Sequence, residues 1–364
     1  GHPPPRRHAE RGRSTSREQR RVTSGERRSP FPKQRIALKG GTALNLFSAD
    51  LPRLSVDIDL DYVGAADRQT MLGDRPKVEQ AVQAVCGRLG IQVRRSPTDH
   101  AGGKWRLSFT SIHGRTGALE LDVNFMLRTP LWPLVLQDSR ALGPFRATQI
   151  PVLDIHELAA GKTAALMARS LARDVFDVRQ LLSASDLDQA KLRLAFVVYG
   201  GINRRDWREV AIDDVRADPG EIDRMLLPML RADLAPSKDA VSAWTRRLVD
   251  DCRDRLSAVL PLAADEVEFL ERLNDRGDIA PELLTIDPGM QAIIREHPGL
   301  RWKALNAKQH GDERRSSPSA GNSPRPRQGT RQAAACPSRR PATRRPATSS
   351  STATPSFARR SWAR

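Results

Sequence analysis

The segment LKGGTALNLFSADLPRLSVDIDLDYV, residues 38–63, joins a double glycine to a run of alternating aspartates. In its second half three apolar residues alternate with three aspartates: Val56, Ile58 and Leu60 with Asp57, Asp59 and Asp61. Such alternation predicts a β-strand, because successive side chains of a strand point to opposite faces. Aspartate is depleted in strands, so three on one face indicate a functional face more than an ordinary solvated edge.

The aspartates of this strand are candidate metal ligands. Asp57 and Asp59 would lie roughly 7 Å apart along the strand, close enough to hold one or two divalent cations. Asp122, in the alternating stretch ALELDVNFML, is the candidate third acid, and Glu120 on the same face is the fallback. Magnesium prefers oxygen ligands, and a cation would offset the repulsion among these carboxylates. Asp61 is expected at the surface or behind the ligands.

The double glycine predicts a phosphate-binding turn. Gly40 and Gly41 follow a short apolar strand and precede a helical segment, so backbone N–H groups and a helix N-terminus would face an anion such as a triphosphate. Thr42 could cap the helix or bond a phosphate oxygen. The tripeptide alone is a common turn, but S-x-D-x-D follows it within about 15 residues, which makes the combination more specific.

The order of these motifs resembles the signature of polymerase β-like nucleotidyltransferases: a GG turn, two acids on a strand and a third acid on a later strand. The fuller string resembles AbiEii-type toxins, the nucleotidyltransferases of bacterial abortive-infection and toxin–antitoxin systems. Two later stretches extend the resemblance, LDIHELAAGKTAALMARSLARDVFDVRQL at residues 153–181 and HPGLRWKALN at residues 297–306. It covers most of residues 36–307 and leaves both ends unexplained.

The resemblance implies roles for individual residues. It assigns a phosphate-binding turn to Gly40, Gly41 and Thr42; a metal-binding strand to Ser55, Asp57 and Asp59; the third acid to Asp122; an active-site lysine to Lys162; and a later catalytic aspartate to Asp174. Arg169, seven residues after the lysine on one helix, would add positive charge on the same side.

Two departures and several alternatives accompany these roles. Two stretches depart from the family's pattern. Gly161 stands before the lysine in a helix interior, where the family usually has a polar residue, and an Arg/Pro-rich leader replaces the helix that normally precedes the glycine turn. Lys162 and Arg169 could also be ordinary surface residues, and Asp174 could simply pair with Arg173. The stretch AAGKTAAL is not a phosphate-binding P-loop, because that motif needs a glycine where His156 stands.

The predicted fold is α+β. A nucleotidyltransferase core of a small mixed sheet with helices is predicted at 36–150, and an all-helical domain at 151–307, broken near Ser170–Arg173 and at later prolines. A short helix and an aromatic anchor at Trp302 are predicted to close the folded part. Basic disordered segments are predicted at 1–35 and 308–364, because their Pro/Ser/Arg-rich sequences bury little apolar surface.

The net charge of +17 resides in the two ends. Residues 40–307 carry 35 Lys/Arg against 38 Asp/Glu, a net charge of −3. The three cysteines lie far apart and support neither a zinc site nor a disulfide framework. With no apolar run of about 20 residues and no signal-peptide core, we expect a cytoplasmic protein with no membrane partner.

The resulting functional hypothesis is a nucleotidyltransferase toxin that uses magnesium or manganese. It would transfer a nucleoside monophosphate from an NTP to an acceptor hydroxyl, above all the 3′ end of tRNA, and so block translation, in phage defence or a related system. The partner would be an antitoxin from an adjacent gene. Two alternatives stay open: an RNA-binding protein with a degenerate site that acts through its basic ends, and a nucleotidyltransferase with a small-molecule acceptor.

Overall fold

A mixed seven-stranded sheet organises the first half of the chain, with strand order β3-β4-β5-β2-β1-β7-β6. The computed structural model describes residues 35–55, 57–96, 102–111, 113–183 and 187–316. The strands of the sheet are β1 (Ile36–Lys39), β2 (Ile58–Tyr62), β3 (Gln92–Ser96), β4 (Gly102–Thr110), β5 (Thr116–Asn124), β6 (Val135–Gln137) and β7 (Ile150–Val152).

The centre of the sheet is made of the strands that carry the sequence motifs. β2 pairs antiparallel with β1 and parallel with β5. The alternation of β5 is confirmed, because Leu121, Val123 and the following Phe125 are buried on one face, while Asp122 and Asn124 belong to the other. Sequence alternation therefore decides which face of the sheet is acidic.

Between β1 and β2 the chain forms a helical segment, as predicted. A single turn of α-helix, α1 (Gly40–Thr42), continues as π-helix over Ala43–Ser48. β2 begins only at Ile58, later than the alternation suggested, and Val56 lies outside the described residues.

One face of the sheet is covered by α2 (Arg68–Arg88). The side chain of Asp67 accepts a hydrogen bond from the Thr70 amide and caps the helix N-terminus. The helix buries Met71 and Val78 against Trp105 and other apolar side chains of β4 and β5. The opposite, acidic face of the sheet is thereby left for the functional residues.

The second half of the described chain is helical, as predicted. Its α-helices are α3 (Ile155–Arg169), α4 (Ala172–Leu181), α5 (Gln189–Ile202), α6 (Pro219–Glu221), α7 (Val241–Leu256), α8 (Ala264–Glu271), α9 (Pro288–Glu296) and α10 (Pro298–Ser316), with short 3₁₀ and π-helical turns between them. The predicted break is confirmed at Ser170, whose left-handed φ of 48° ends α3. Sheet and helices form a single compact unit.

Several predictions about this part of the chain were wrong. β6 and β7 were not expected, and β7 crosses the proposed boundary at residue 150. Trp302 is 43% exposed and is no aromatic anchor. α10 continues to Ser316, past the predicted start of the basic tail at residue 308.

The division into two domains stays a prediction. The predicted disorder at residues 1–34 and 317–364 lies outside the described residues. Within the described ranges, no helix combines the length and the hydrophobicity needed to cross a bilayer.

Candidate active site

Two acids lie side by side in the middle of the sheet. The parallel pairing of β2 and β5 makes Asp59 and Asp122 direct neighbours. Lys39 on β1 is the cross-strand neighbour of Asp59, and Lys104 on β4 is the neighbour of Asp122. Four strands therefore contribute one row, in which two adjacent carboxylates have a lysine on either side.

The carboxylate pair faces a cleft, and the surroundings of Asp122 disfavour its ionised form. Burial raises the pKa of Asp122, and the negative charge of Asp59 raises it further, against the opposing charges of Lys39 and Lys104. The cleft has a volume of about 340 Å³ and is lined by residues of β1, β2, β4 and β5 and of the chain after β5: Lys39, Asp59, Leu60, Gly102, Asp122, Asn124 and Met126. An open cleft lined by two adjacent carboxylates suits a cationic ligand.

Asp61 is not at the surface, which was one of the positions expected for it. Its side chain is only 1% exposed, and its carboxylate lies 2.7 Å from the Lys39 ammonium. Burial raises the pKa of Asp61, while Lys39 opposes that shift. The acidic strand is thus paired with Lys39, a residue that no sequence pattern marked.

The glycine turn packs directly against Asp59 of the carboxylate pair. Gly40 has a left-handed φ of +70°, and a Cβ built on it would lie 2.0 Å from Asp59 Oδ2. A Cβ on Gly41 would lie 2.7 Å from the Ser55 hydroxyl and 3.0 Å from the Arg53 guanidinium. Both positions need glycine because the backbone of the turn touches functional side chains.

Thr42 and Asp57 connect the turn to the strand. The Thr42 hydroxyl donates a hydrogen bond to the Asp57 carbonyl, so it holds β2 against α1. The Asp57 carboxylate lies 3.9 Å from the Arg173 guanidinium at the start of α4. Within the described part of the chain, no three or more His, Cys, Asp or Glu residues are grouped to hold a metal ion.

Lys162 belongs to a buried ion cluster between the helices and the loop that follows the π-helix. Its ammonium lies 2.8 Å from Asp177 and 3.7 Å from Asp174, both on α4. Arg53 donates to both carboxylate oxygens of Asp177, at 2.7 Å and 2.5 Å. Burial favours a higher pKa for Asp177, but Lys162 and Arg53 outweigh it and hold the pKa below its usual value.

Arg169 brings positive charge from α3 toward the strand acids. It donates to both oxygens of Asp174, at 2.7 Å and 3.1 Å, which raises the pKa of Arg169, and Asp59 contributes to the same shift. Asp174 therefore pairs with Arg169 and not with Arg173, which had been the alternative. Lys162, Arg169 and Asp174 come together, as the sequence suggested.

Two further buried charges were not predicted. Arg53 stands in an irregular loop where no sequence pattern marks it. Glu157 accepts hydrogen bonds from the amides of Leu131 and Trp132 and from the Tyr199 hydroxyl. Burial raises the pKa of Glu157 to about 7. The only sequence feature that could have marked Glu157 is its position on α3, five residues before Lys162.

Comparison with known proteins identifies a family for this chain. A family model described as "Nucleotidyl transferase AbiEii toxin, Type IV TA system" matches residues 27–325. No curated protein matches the chain. Among solved structures, MenT4, a nucleotidyltransferase toxin from Mycobacterium tuberculosis H37Rv, is 20% identical, with 77% of this chain and 85% of that chain covered and a TM-score of 0.43.

Proposed function

The chain belongs to the AbiEii family of nucleotidyltransferase toxins, and we propose that it modifies the 3′ end of tRNA. In this proposal it transfers a nucleoside monophosphate from an NTP to the terminal hydroxyl with the help of a divalent cation. The modified tRNA could no longer serve translation, and growth would stop. Membership in a family assigned to type IV toxin–antitoxin systems also implies an antitoxin partner.

The observation that carries the proposal is the contact between the glycine turn and the carboxylate pair. Asp59 and Asp122 are cross-strand neighbours, and Gly40 approaches Asp59 so closely that a Cβ at this position would overlap the Asp59 side chain. A nucleotide bound with its phosphates along the turn would therefore have its reacting phosphorus beside both carboxylates. Transfer at phosphorus requires this juxtaposition of a phosphate site and acidic side chains.

The residues present fit a divalent cation. Asp59 and Asp122 offer hard oxygen ligands, and the pKa of Asp122 is raised first by burial and then by the neighbouring charge of Asp59. These two residues would hold Mg²⁺ or Mn²⁺. Asp57 is the proposed third ligand, and its carboxylate would have to turn from Arg173 toward the pair. When bound, the metal supplies charge neutralisation on the reacting phosphoryl group.

The protein's own groups supply positioning and proton transfer. The acceptor oxygen forms a bond to the α-phosphorus while the bond from that phosphorus to the bridging oxygen of the β-phosphate breaks, and pyrophosphate leaves. We assign the acceptor hydroxyl's proton to Asp122, because its carboxylate lines the cleft directly beside Asp59. Ser55, beside Gly41, keeps the turn in position for the phosphates.

Positive charge for the triphosphate would come from the helical half. Arg173 already lies 3.9 Å from Asp57, and the charge of Asp59 reaches Arg169. Both can turn to phosphate oxygens once a cation neutralises the strand. Lys162 and Asp174 act beneath them: Lys162 holds the two acids of α4 in place, and Asp174 orients the Arg169 guanidinium.

The test is transfer of label from the α-phosphate of each NTP to total tRNA, with Mg²⁺ or Mn²⁺. The Asp59→Asn and Asp122→Asn variants are expected to lose about 10²-fold or more in rate, the cost of removing a group that stabilises transition-state charge. Glu282→Gln is the matched control, because Glu282 is an exposed acid paired with Arg295 on the surface. It should keep full activity.

The outcomes separate the competing functions. Labelling of tRNA by the wild type and the control, but not by the two aspartate variants, supports the proposal. If tRNA is never labelled but a small hydroxyl compound is, the enzyme has a small-molecule acceptor. If neither is labelled with any nucleotide or metal, the proposed reaction is wrong, and RNA binding through the basic ends becomes the better account.

A further inference from the structure

The sheet face that carries the two acids continues sideways as a basic surface. On β4, Lys104 and Arg106 alternate with the buried Trp105 and so share the face of Asp122. Arg94 on β3 is the cross-strand neighbour of Arg106. We call Arg94, Lys104 and Arg106 the basic face.

The basic face is open to solvent and only partly neutralised. The side chains of Arg106 and Lys104 are 68% and 48% exposed, and Arg94 is also exposed. Glu120 lies 2.6 Å from Lys104 and 3.7 Å from Arg106. Arg94 has no ion-pair partner among the residues that the structure describes. With Asp122 counted as well, three cations share this face with two carboxylates, and a net positive charge is left on the surface.

The distance between these cations and the two acids limits which substrate group the cations can bind. With strands about 5 Å apart and two residues spanning about 7 Å, the Cα of Arg106 lies roughly 8 Å from that of Asp122, and the Cα of Arg94 roughly 12 Å. The side chains of Arg106 and Arg94 therefore lie beyond the reacting centre, on the side of Asp122 that is away from the glycine turn. The triphosphate is expected at the turn, so this surface faces the acceptor.

We infer that the basic face binds the phosphate backbone of an RNA acceptor and guides its 3′ end to Asp122. The inference rests on the proposed function and names the acceptor as a polyanion. Guanidinium groups match phosphate geometry through paired N–H donors, and a row of such cations tracks a backbone without reading its sequence. A small uncharged acceptor would gain nothing from cations placed this far from the reacting phosphorus.

The experiment measures RNA binding by the full chain in the absence of NTP and metal. The probe is a 5′-fluorescent single-stranded RNA with a free 3′ hydroxyl, followed by anisotropy at several salt concentrations. The Arg94→Gln/Arg106→Gln variant is expected to bind about tenfold more weakly at 0.15 M salt, and its log–log salt slope should fall by about 1.4, since each phosphate contact contributes about 0.7.

The control is the Arg246→Gln/Arg247→Gln variant, which removes the same charge from two exposed positions on α7. It should bind RNA like the wild type with an unchanged salt slope. Equal binding and equal slopes for all three proteins would overturn the inference. RNA binding is measured without turnover. Absence of nucleotidyl transfer would therefore refute the proposed function without changing the interpretation of the binding measurement.

Discussion

Replacing Gly40 by alanine tests the contact between the glycine turn and the acidic strand. A Cβ at this position would lie 2.0 Å from Asp59 Oδ2 and 2.8 Å from Asp59 Cβ. Rotation of the aspartate side chain could relieve the first overlap but not the second, because Cβ is fixed by the backbone. Gly114 offers a matched control: its φ of +72° equals that of Gly40 within 2°, and nothing lies within 4 Å of its Cβ position.

The expected cost can be divided between backbone and overlap. A left-handed conformation costs a residue with a Cβ about 1 kcal/mol, so Gly114→Ala should lower the free energy of unfolding by about that amount. Gly40→Ala carries the same backbone cost. Forcing an extra carbon into a packed contact adds typically about 1–3 kcal/mol, so the total should be about 3 kcal/mol.

Urea unfolding at pH 7 gives both free energies, and the tRNA-labelling assay gives activity. Gly40→Ala should also lose transfer activity, because the turn must move away from Asp59 to accommodate the new carbon. Gly114→Ala should keep it. If the two variants are equally stable and equally active, then the glycine turn does not press on Asp59, and the argument for the active site fails with it.

Two further predictions concern buried charges. Arg53→Met should lower the free energy of unfolding by about 3 kcal/mol in urea, the low end for breaking a buried ion pair, because Lys162 still neutralises Asp177. Glu157→Gln should change how stability depends on pH. The raised pKa of Glu157 means that its contribution is complete below about pH 4.5 and is lost as pH rises through about 7, a loss of about 3 kcal/mol. Unfolding midpoints from pH 4.5 to 8 should therefore fall in the wild type and stay flatter in the variant.

Each of these has an outcome that contradicts it. Arg295→Gln breaks an exposed ion pair and should cost under about 0.5 kcal/mol. If Arg53→Met costs no more than that, the buried cluster contributes little to folding. If stability of the wild type and of Glu157→Gln changes with pH in parallel, then Glu157 is ionised in the folded protein over the whole range.

The sequence was sufficient for features that depend on local pattern. Alternation identified β2 and β5 and the side of each strand that is acidic, and the double glycine identified the turn before the helical segment. Asp122 was expected as the third acid from a neighbouring strand, and the parallel register of β2 and β5 makes it the neighbour of Asp59. β6 and β7 have three residues each, too few to show any alternation, and were missed.

Contacts that depend on how distant segments pack could not be predicted. Lys162 was expected to supply the positive charge for the strand acids, but its ion pairs are with Asp174 and Asp177 on the next helix. The partner of Asp61 is Lys39, which follows from the antiparallel register of β1 and β2. Arg53 became important only because its loop lies between the glycine turn and α4.

The distribution of charge supports the pair Asp59 and Asp122 as the proposed reactive centre. Two buried acids nearby have a dedicated cation: Asp61 has Lys39 at 2.7 Å, and Asp177 has both Arg53 and Lys162. The two lysines that flank the pair in its row are engaged with other acids, since Lys39 turns to Asp61 and Lys104 to Glu120 at 2.6 Å. The fold thus keeps two adjacent carboxylates short of positive charge beside the turn proposed to bind phosphate, and a cation that enters with the nucleotide would supply that charge.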